Sequence, residues 1–236
     1  MPFCLPSPPS RVSSLSLTVA FPPPSPQCPC PPLLPLPQFV DEIVPVTMTK
    51  RGKDTVVSVD QEFSNIKLDK IPSLRAAFAK DGTVTAANAS SINDGACALT
   101  LMSASTAAAR GLKPIARIRG FGDAAQAPVD FTTAPAKAMP IALAQAGVEL
   151  KDTHFHEINE AFSVVALANM KLMDLDPATV NVNGGAVALG HPIGCSGARI
   201  ITTLINVLKQ NDATLGTASI CNGGGGASAI VIERLE

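Results

Sequence analysis

From residue 39 onward the apolar positions follow two spacings. Some stretches repeat every second residue and others every third or fourth. These are the periods of a half-buried strand and of an amphipathic helix. "EIVPVTM" (42–48) and "DTVVSVD" (54–60) read as strands joined by a "TKRGK" turn. "IPSLRAAFAK" (71–80) predicts a short helix with Pro72 in its first turn, and the small, polar "DGTVTAANASSINDGA" (81–96) predicts loops. "CALTLM" (97–102) fits a buried strand or a helix equally well. "SASTAAARGL" (103–112) predicts a helix capped by Ser103 and stopped at Gly111. Strands are then expected at 116–122, 153–158, 179–185, 217–221 and 228–235. Helices are expected at 134–147, interrupted by Pro140, and at 161–173 and 197–210. This alternation predicts an α/β fold, a mixed sheet covered by helices.

Residues 1–37 have neither period. They hold 13 of the 21 prolines and a single charge, Arg11. With so many amides missing and φ fixed, "FPPPSPQCPCPPLLPLPQ" (21–38) cannot form a helix or an internal strand, so residues 1–38 are expected to be disordered or polyproline-like. "VSSLSLTVAF" (12–21) has the length of a signal-peptide core. It is only weakly apolar, and it runs into prolines rather than a small-residue cleavage site. The segment is also neither Arg-rich nor amphipathic, as transit peptides are.

Composition narrows the function classes. The chain is 46% hydrophobic and 16% charged, and its net charge of −1 gives no general attraction to nucleic acid or to an anionic membrane. No apolar run reaches the roughly 18 residues of a membrane span. The six cysteines match no zinc spacing and no small secreted disulfide scaffold. Reduced thiols in an intracellular protein are expected, with a cytoplasmic location placed ahead of a mitochondrial or peroxisomal one.

Three predicted strand ends carry the chemistry. In "GHPIG" (190–194), glycines and Pro192 fix the backbone around His191, as a general base or oxyanion donor requires; the plainer alternative is a histidine satisfied locally. In "CNGGGG" (221–226), Cys221 precedes glycines whose amides can approach a ligand closely, as in an oxyanion hole. The alternative there is a buried cysteine before a flexible turn. In "NEAF" (159–162), Asn159 can hold a water or a substrate oxygen, or simply cap a helix, and Glu160 can be a solvated first-turn acid. His154 and His156, alternating on one strand, are assigned structural roles.

Taken together, "GTVTAANASSINDGA", "INEAF", "NVNGGAVALGHPIGCSGAR" and "SICNGGGGASAIVIE", in this order across residues 39–236, resemble the thiolase family. The "GHPIG…SGAR" and "CNGGGG" motifs are most similar to its short-chain, acetoacetyl-CoA-forming branch. The resemblance implies a layered thiolase fold, with residues 81–236 as the C-terminal domain and 39–80 as a remnant of the coenzyme-binding loop region. It implies that His191 activates a nucleophilic thiol. Its ring, with a water held by Asn159, would then stabilise a thioester enolate. Cys221 would move the α-proton, and the Gly223 amide would complete a second oxyanion hole. Leu74, Phe78, Ala86, Ala87, Ser90, Ala161 and Phe162 would contact the coenzyme A ester. Some relatives hold a potassium ion beside this loop, which places Ala86, Ala87 and Ala89 as its carbonyl ligands here. No prosthetic group is implied; the partners are acetyl-CoA, acetoacetyl-CoA and further subunits of a homo-oligomer.

The implied reaction is acetyl-CoA C-acetyl transfer: two acetyl-CoA give acetoacetyl-CoA and coenzyme A, or the reverse thiolysis. The family's N-terminal half, with its nucleophilic cysteine, has no counterpart in residues 1–37. The chain alone is therefore expected to be inactive. The alternatives are a non-catalytic chain that binds coenzyme A or full-length subunits and, ranked below it, an unrelated cysteine hydrolase using Cys221 and His191.

Overall fold

The computed structural model describes residues 15–18, 37–39, 42–60 and 67–235. Its main sheet has six strands, in the order β4-β1-β5-β8-β7-β6: Thr100–Ser103 (β4), Leu15–Thr18 (β1), Ala116–Ala125 (β5), Gly226–Arg234 (β8), Leu215–Cys221 (β7) and Phe155–Ile158 (β6). Only the β6–β7 pair is parallel, so the sheet is mixed, as expected. Val46–Lys50 (β2) and Lys53–Val57 (β3) form the separate hairpin that the sequence predicts.

Alternation along the central strands sorts side chains to two faces. Ala227, Ala229 and Val231 of β8, with Cys221 of β7, join one core cluster. This cluster holds Pro135–Ala146 (α2) and Ser163–Met173 (α3) against the sheet. Ile232 and Ala218 join the other, under Ile193–Gln210 (α5) through Ile200, Leu204, Ile205 and Leu208. Burying a branched side chain of this kind is worth about 1.5–3 kcal/mol. Glycine sets the closeness of one layer: a Cβ at Gly120 would fall 2.4 Å from the Ala142 carbonyl oxygen of α2. Ala104–Ala109 (α1) starts as predicted, with Ser103 accepting from the Thr106 amide at 3.1 Å, and Gly111 at φ +64° ends the turn.

Four expectations are corrected. Residues 71–80 are not helical: Leu68–Ser73 form a 3-10 turn around Pro72, and the Ala77 amide then bonds the Val84 carbonyl at 2.8 Å instead of a helical partner. Residues 179–185 are not a strand. Asn181 turns to φ +48°, and its side-chain amide bonds both the N–H (2.8 Å) and the carbonyl (2.9 Å) of Ile158, taking the place of a ladder residue. Helix α5 starts at Ile193, four residues before the predicted 197, because the Cys195 and Ser196 amides already bond the Pro192 carbonyl. Lastly, four residues of the segment 1–37 pair as a strand: β1 lies in "VSSLSLTVAF", which holds no proline, so its amides are free to pair with β4 and β5. The rest of 1–36 lies outside the described residues. The undecided stretch 97–102 yields strand β4.

Candidate functional site

Parallel β6 and β7 end at the same rim of the sheet, and this brings two of the motifs together. The Asn159 amide bonds the Ser219 carbonyl at 2.9 Å, so Asn159 continues the ladder beside β7, two residues short of Cys221. The third motif arrives through the turn Asn181–Gly185 and the short helix Ala186–Leu189 (α4). Gly190, at φ +90°, then turns the chain, and the loop before β4 pins His191, whose amide bonds the Ser91 carbonyl at 2.9 Å.

The His191 ring is held at both nitrogens. Nδ1 lies 2.6 Å from Ser196 Oγ, and Nε2 lies 3.3 Å from Asn159 Nδ2. The Ser196 hydroxyl donates to the Pro192 carbonyl at 3.2 Å, so its oxygen accepts from Nδ1–H. Nε2 therefore carries the lone pair, the form a general base needs. Burial, and then the Arg199 guanidinium, hold the imidazole below its usual pKa, so the ring is neutral at neutral pH. Asn159 is 1% exposed, and its Oδ1 has no partner among the described residues.

Cys221 closes β7 with its thiol buried. Burial pushes its pKa up, against a smaller downward pull from its own backbone amide. A thiol that serves as a base at neutral pH needs surroundings that lower its pKa; in this chain the shift is in the other direction. The glycine turn that follows is organised by Asn222, whose Oδ1 accepts from the Gly224 and Gly226 amides at 3.1 and 3.3 Å. Exposed Gly223 contributes its N–H to none of these bonds.

The loop residues form a second group. Thr85 and Asn88 close a tight turn, with the Thr85 amide donating to Asn88 Oδ1 at 2.7 Å. The loop is then fastened to the start of α3. The Ala161 carbonyl accepts both the N–H and the O–H of Ser90, at 3.1 and 2.9 Å, and the Ser163 amide bonds the Asn88 carbonyl at 2.8 Å. Ala86, Ala87, Ala89, Ser90, Ala161 and Phe162 thus lie along one seam. Phe78 stacks edge-on against Phe162 at 5.5 Å yet is 76% exposed. Leu74, at the end of the 3-10 turn, is 36% exposed.

Sequence reasoning missed four contributors. Glu160 is not a solvated acid: it accepts from Asn181 Nδ2 at 3.0 Å and from the Val187 amide at 3.2 Å, fastening the turn that leads to His191. Ser196 orients the ring; its signal was a hydroxyl in the first turn of the following helix. Phe131 extends the aromatic group, 6.4 Å from Phe162. Glu157, 2% exposed, carries a pKa raised to about 8 by burial, although Arg199 opposes the shift. His154 and His156 are structural as assigned: Nδ1 of His154 meets the Leu215 backbone, and Nδ1 of buried His156 lies 2.8 Å from Thr217 Oγ1.

Residues 36–105 match the family model of the thiolase N-terminal domain, and residues 112–234 match that of the C-terminal domain. The chain is 57% identical to an acetyl-CoA acetyltransferase of Schizosaccharomyces pombe, over 84% of this chain and 50% of that protein. It is 54% identical to the mitochondrial acetyl-CoA acetyltransferase of Bos taurus, over 84% and 47%. It superimposes with a TM-score of 0.76 and 48% identity on the Acat5 thiolase of Ascaris suum, solved in complex with coenzyme A, covering 84% of this chain and 50% of that one. The chain thus spans about half the length of the relatives it matches.

Proposed function

The chain belongs to the thiolase family, and from that premise we propose that it carries the enolate-forming half of an acetyl-CoA C-acetyltransferase site. The α-proton of a thioester is weakly acidic, so its removal needs donors aimed at the oxygen where charge develops. His191 fills that role once its Nε2 has taken up a proton as general base, together with a water on Asn159. The buried, unpartnered Asn159 Oδ1 is the observation that carries this reading. Cys221, once ionised, takes the α-proton and returns one to the leaving coenzyme A thiolate, and the Gly223 amide supplies the second oxyanion donor. The seam between Ser90 and Phe162, with Phe78 and Leu74, takes the thin pantetheine arm. The carbonyls of Ala86, Ala87 and Ala89 accept no hydrogen bond from any described residue, and so they fit as oxygen ligands for a potassium ion.

Two features support inactivity of the chain on its own. Acetyl transfer by way of an acyl-enzyme needs a second thiol as covalent carrier, and Cys221 is already assigned as the base. Moreover, the pKa of Cys221 is raised, so the thiol rests protonated. The chain then binds coenzyme A esters or associates with full-length subunits, in the cytoplasm, without turnover. The test is thiolysis of acetoacetyl-CoA by purified protein, run beside deuterium exchange into the methyl group of acetyl-CoA. We expect no thiolysis. We expect slow exchange that disappears in His191→Ala. Thiolysis that survives removal of residues 1–37 would place a nucleophile within 39–236 and overturn this division of labour.

A further inference from the structure

Two thiols lie outside this site. Cys97 follows the loop Asn93–Ala96, and Cys195 stands in the first turn of α5; both are free, and both line one cavity of ≈ 330 Å³. Loop and helix are in close contact there. A Cβ at Gly95 would fall 2.7 Å from the Pro192 ring and 3.7 Å from Cys195 Sγ. Cys97 Sγ lies 3.3 Å from Thr202 Oγ1. Thr202 follows Cys195 by two helical turns, on the same face of α5. Both sulfurs therefore face the same strip between loop and helix. Burial first, and Cys97 second, push the Cys195 thiol up.

We propose that Cys97 and Cys195 are a dithiol site, oxidised to an intramolecular disulfide by exchange with a low-molecular-weight disulfide such as oxidised glutathione. Cys97, the less buried of the two, attacks first, as its thiolate. Its sulfur bonds one glutathione sulfur, and the other leaves as reduced glutathione. The Cys195 thiolate then attacks Cys97 Sγ, forming the Cys97–Cys195 bond and expelling the second reduced glutathione. Two protein thiols are oxidised and one glutathione disulfide is reduced, so electrons and protons balance. The cavity gives the Cys195 side chain room to turn toward Cys97.

The position of the bond gives it a consequence. The loop before β4 holds the His191 amide through the Ser91 carbonyl, and the first turn of α5 holds its ring through Ser196, the neighbour of Cys195. A Cys97–Cys195 bond ties these two grips together. The chain carries its own readout, because His154 lies far from both segments in sequence, on the approach to β6.

The experiment uses the full chain, incubated with oxidised glutathione, quenched in acid and digested without reduction. Mass spectrometry should find one linked peptide pair, Cys97 to Cys195, lighter by two hydrogen atoms than the two reduced peptides together. In Cys195→Ser, Cys97 should instead retain glutathione as a stable adduct. The ring resonances of His191 should shift on oxidation and those of His154 should not. Separate glutathione adducts on Cys97 and Cys195, pairing of either with Cys221 or with Cys4, Cys28 or Cys30, or two unreacted thiols would each overturn the proposal. None of these outcomes depends on thiolase activity, so failure here leaves the functional reading intact.

Discussion

At the scale of single residues, the site depends on one hydroxyl. Ser196 Oγ accepts from His191 Nδ1–H and donates to the Pro192 carbonyl, so it selects the tautomer and fixes the ring plane. Ser196→Ala leaves the ring N–H without a partner, and we expect a loss of about 1 kcal/mol in stability. A structural role alone would stop there. The orienting role predicts in addition that long-range ¹H–¹⁵N spectra change from a single Nδ1–H tautomer to a mixture. Asn159, His191 and Cys221 were legible in the sequence because each motif brackets its residue with backbone-shaping neighbours. Ser196 and Glu160 were not, because their importance lies in partners 5 and 21–27 positions away. The direction of the Cys221 shift was also invisible, since it comes from burial that only the fold creates.

At the scale of elements, β6 places two titrating groups of opposite tendency side by side. Burial lowers the pKa of His156 to about 4 and raises that of Glu157 to about 8. His156, depressed below its free value of 6.5, makes the unfolded chain the better proton binder between about 4 and 6.5. Its contribution to stability therefore grows with pH across that window. Glu157, raised above 4.5, makes the folded chain the better proton binder between 4.5 and about 8, and its contribution is lost as pH rises. The two slopes cancel between 4.5 and 6.5, and Glu157 acts alone above. Unfolding midpoints measured across this range should be level at first and then fall toward pH 8. In Glu157→Gln this fall, on the order of 2 kcal/mol between pH 6.5 and 8 in the parent chain, should vanish. A midpoint that stays level to pH 8 in the parent chain would refute the buried, neutral carboxyl.

The elements themselves were readable wherever backbone hydrogen bonds follow the local period. Strands β5 to β8 and helices α2, α3 and α5 announce themselves by alternation or by a repeating apolar face. Two of the failures share one cause, which is hydrogen-bond partners supplied from outside the segment. Val84 takes the Ala77 amide out of a predicted helix, and the Asn181 side chain substitutes for a strand.

At the scale of the whole molecule, one side of the start of α5 is open. Ile193 is 67% exposed and Ile92 87%, one on each side of His191. Gly197, inside α5, has nothing within 4 Å of the position a Cβ would take. Glycine within a helix costs roughly 0.5–1 kcal/mol relative to alanine, and nothing among the described residues offsets that. We therefore expect Gly197→Ala to stabilise the isolated chain by that amount in urea unfolding. In a longer relative, where a further half of the protein is present, the same change would meet whatever packs there. A destabilising effect in the isolated chain would show that this ground is already covered.

The order of strands in the sheet governs how the molecule comes into being. β8, later in sequence than every other described strand, lies in the interior of the sheet, between β5 and β7. Ala116 pairs with Arg234, about 120 residues further on. A ribosome adding roughly 5–20 residues per second leaves β5 without that neighbour for about 6–24 s. During that time one side of a ten-residue strand and the apolar underside of α2 are open to other nascent chains. A message cut short before codon 226 would therefore yield a polypeptide with an empty channel down the middle of its sheet. Such a product is a substrate for chaperones and proteases from the moment of its release, whatever the state of its catalytic residues.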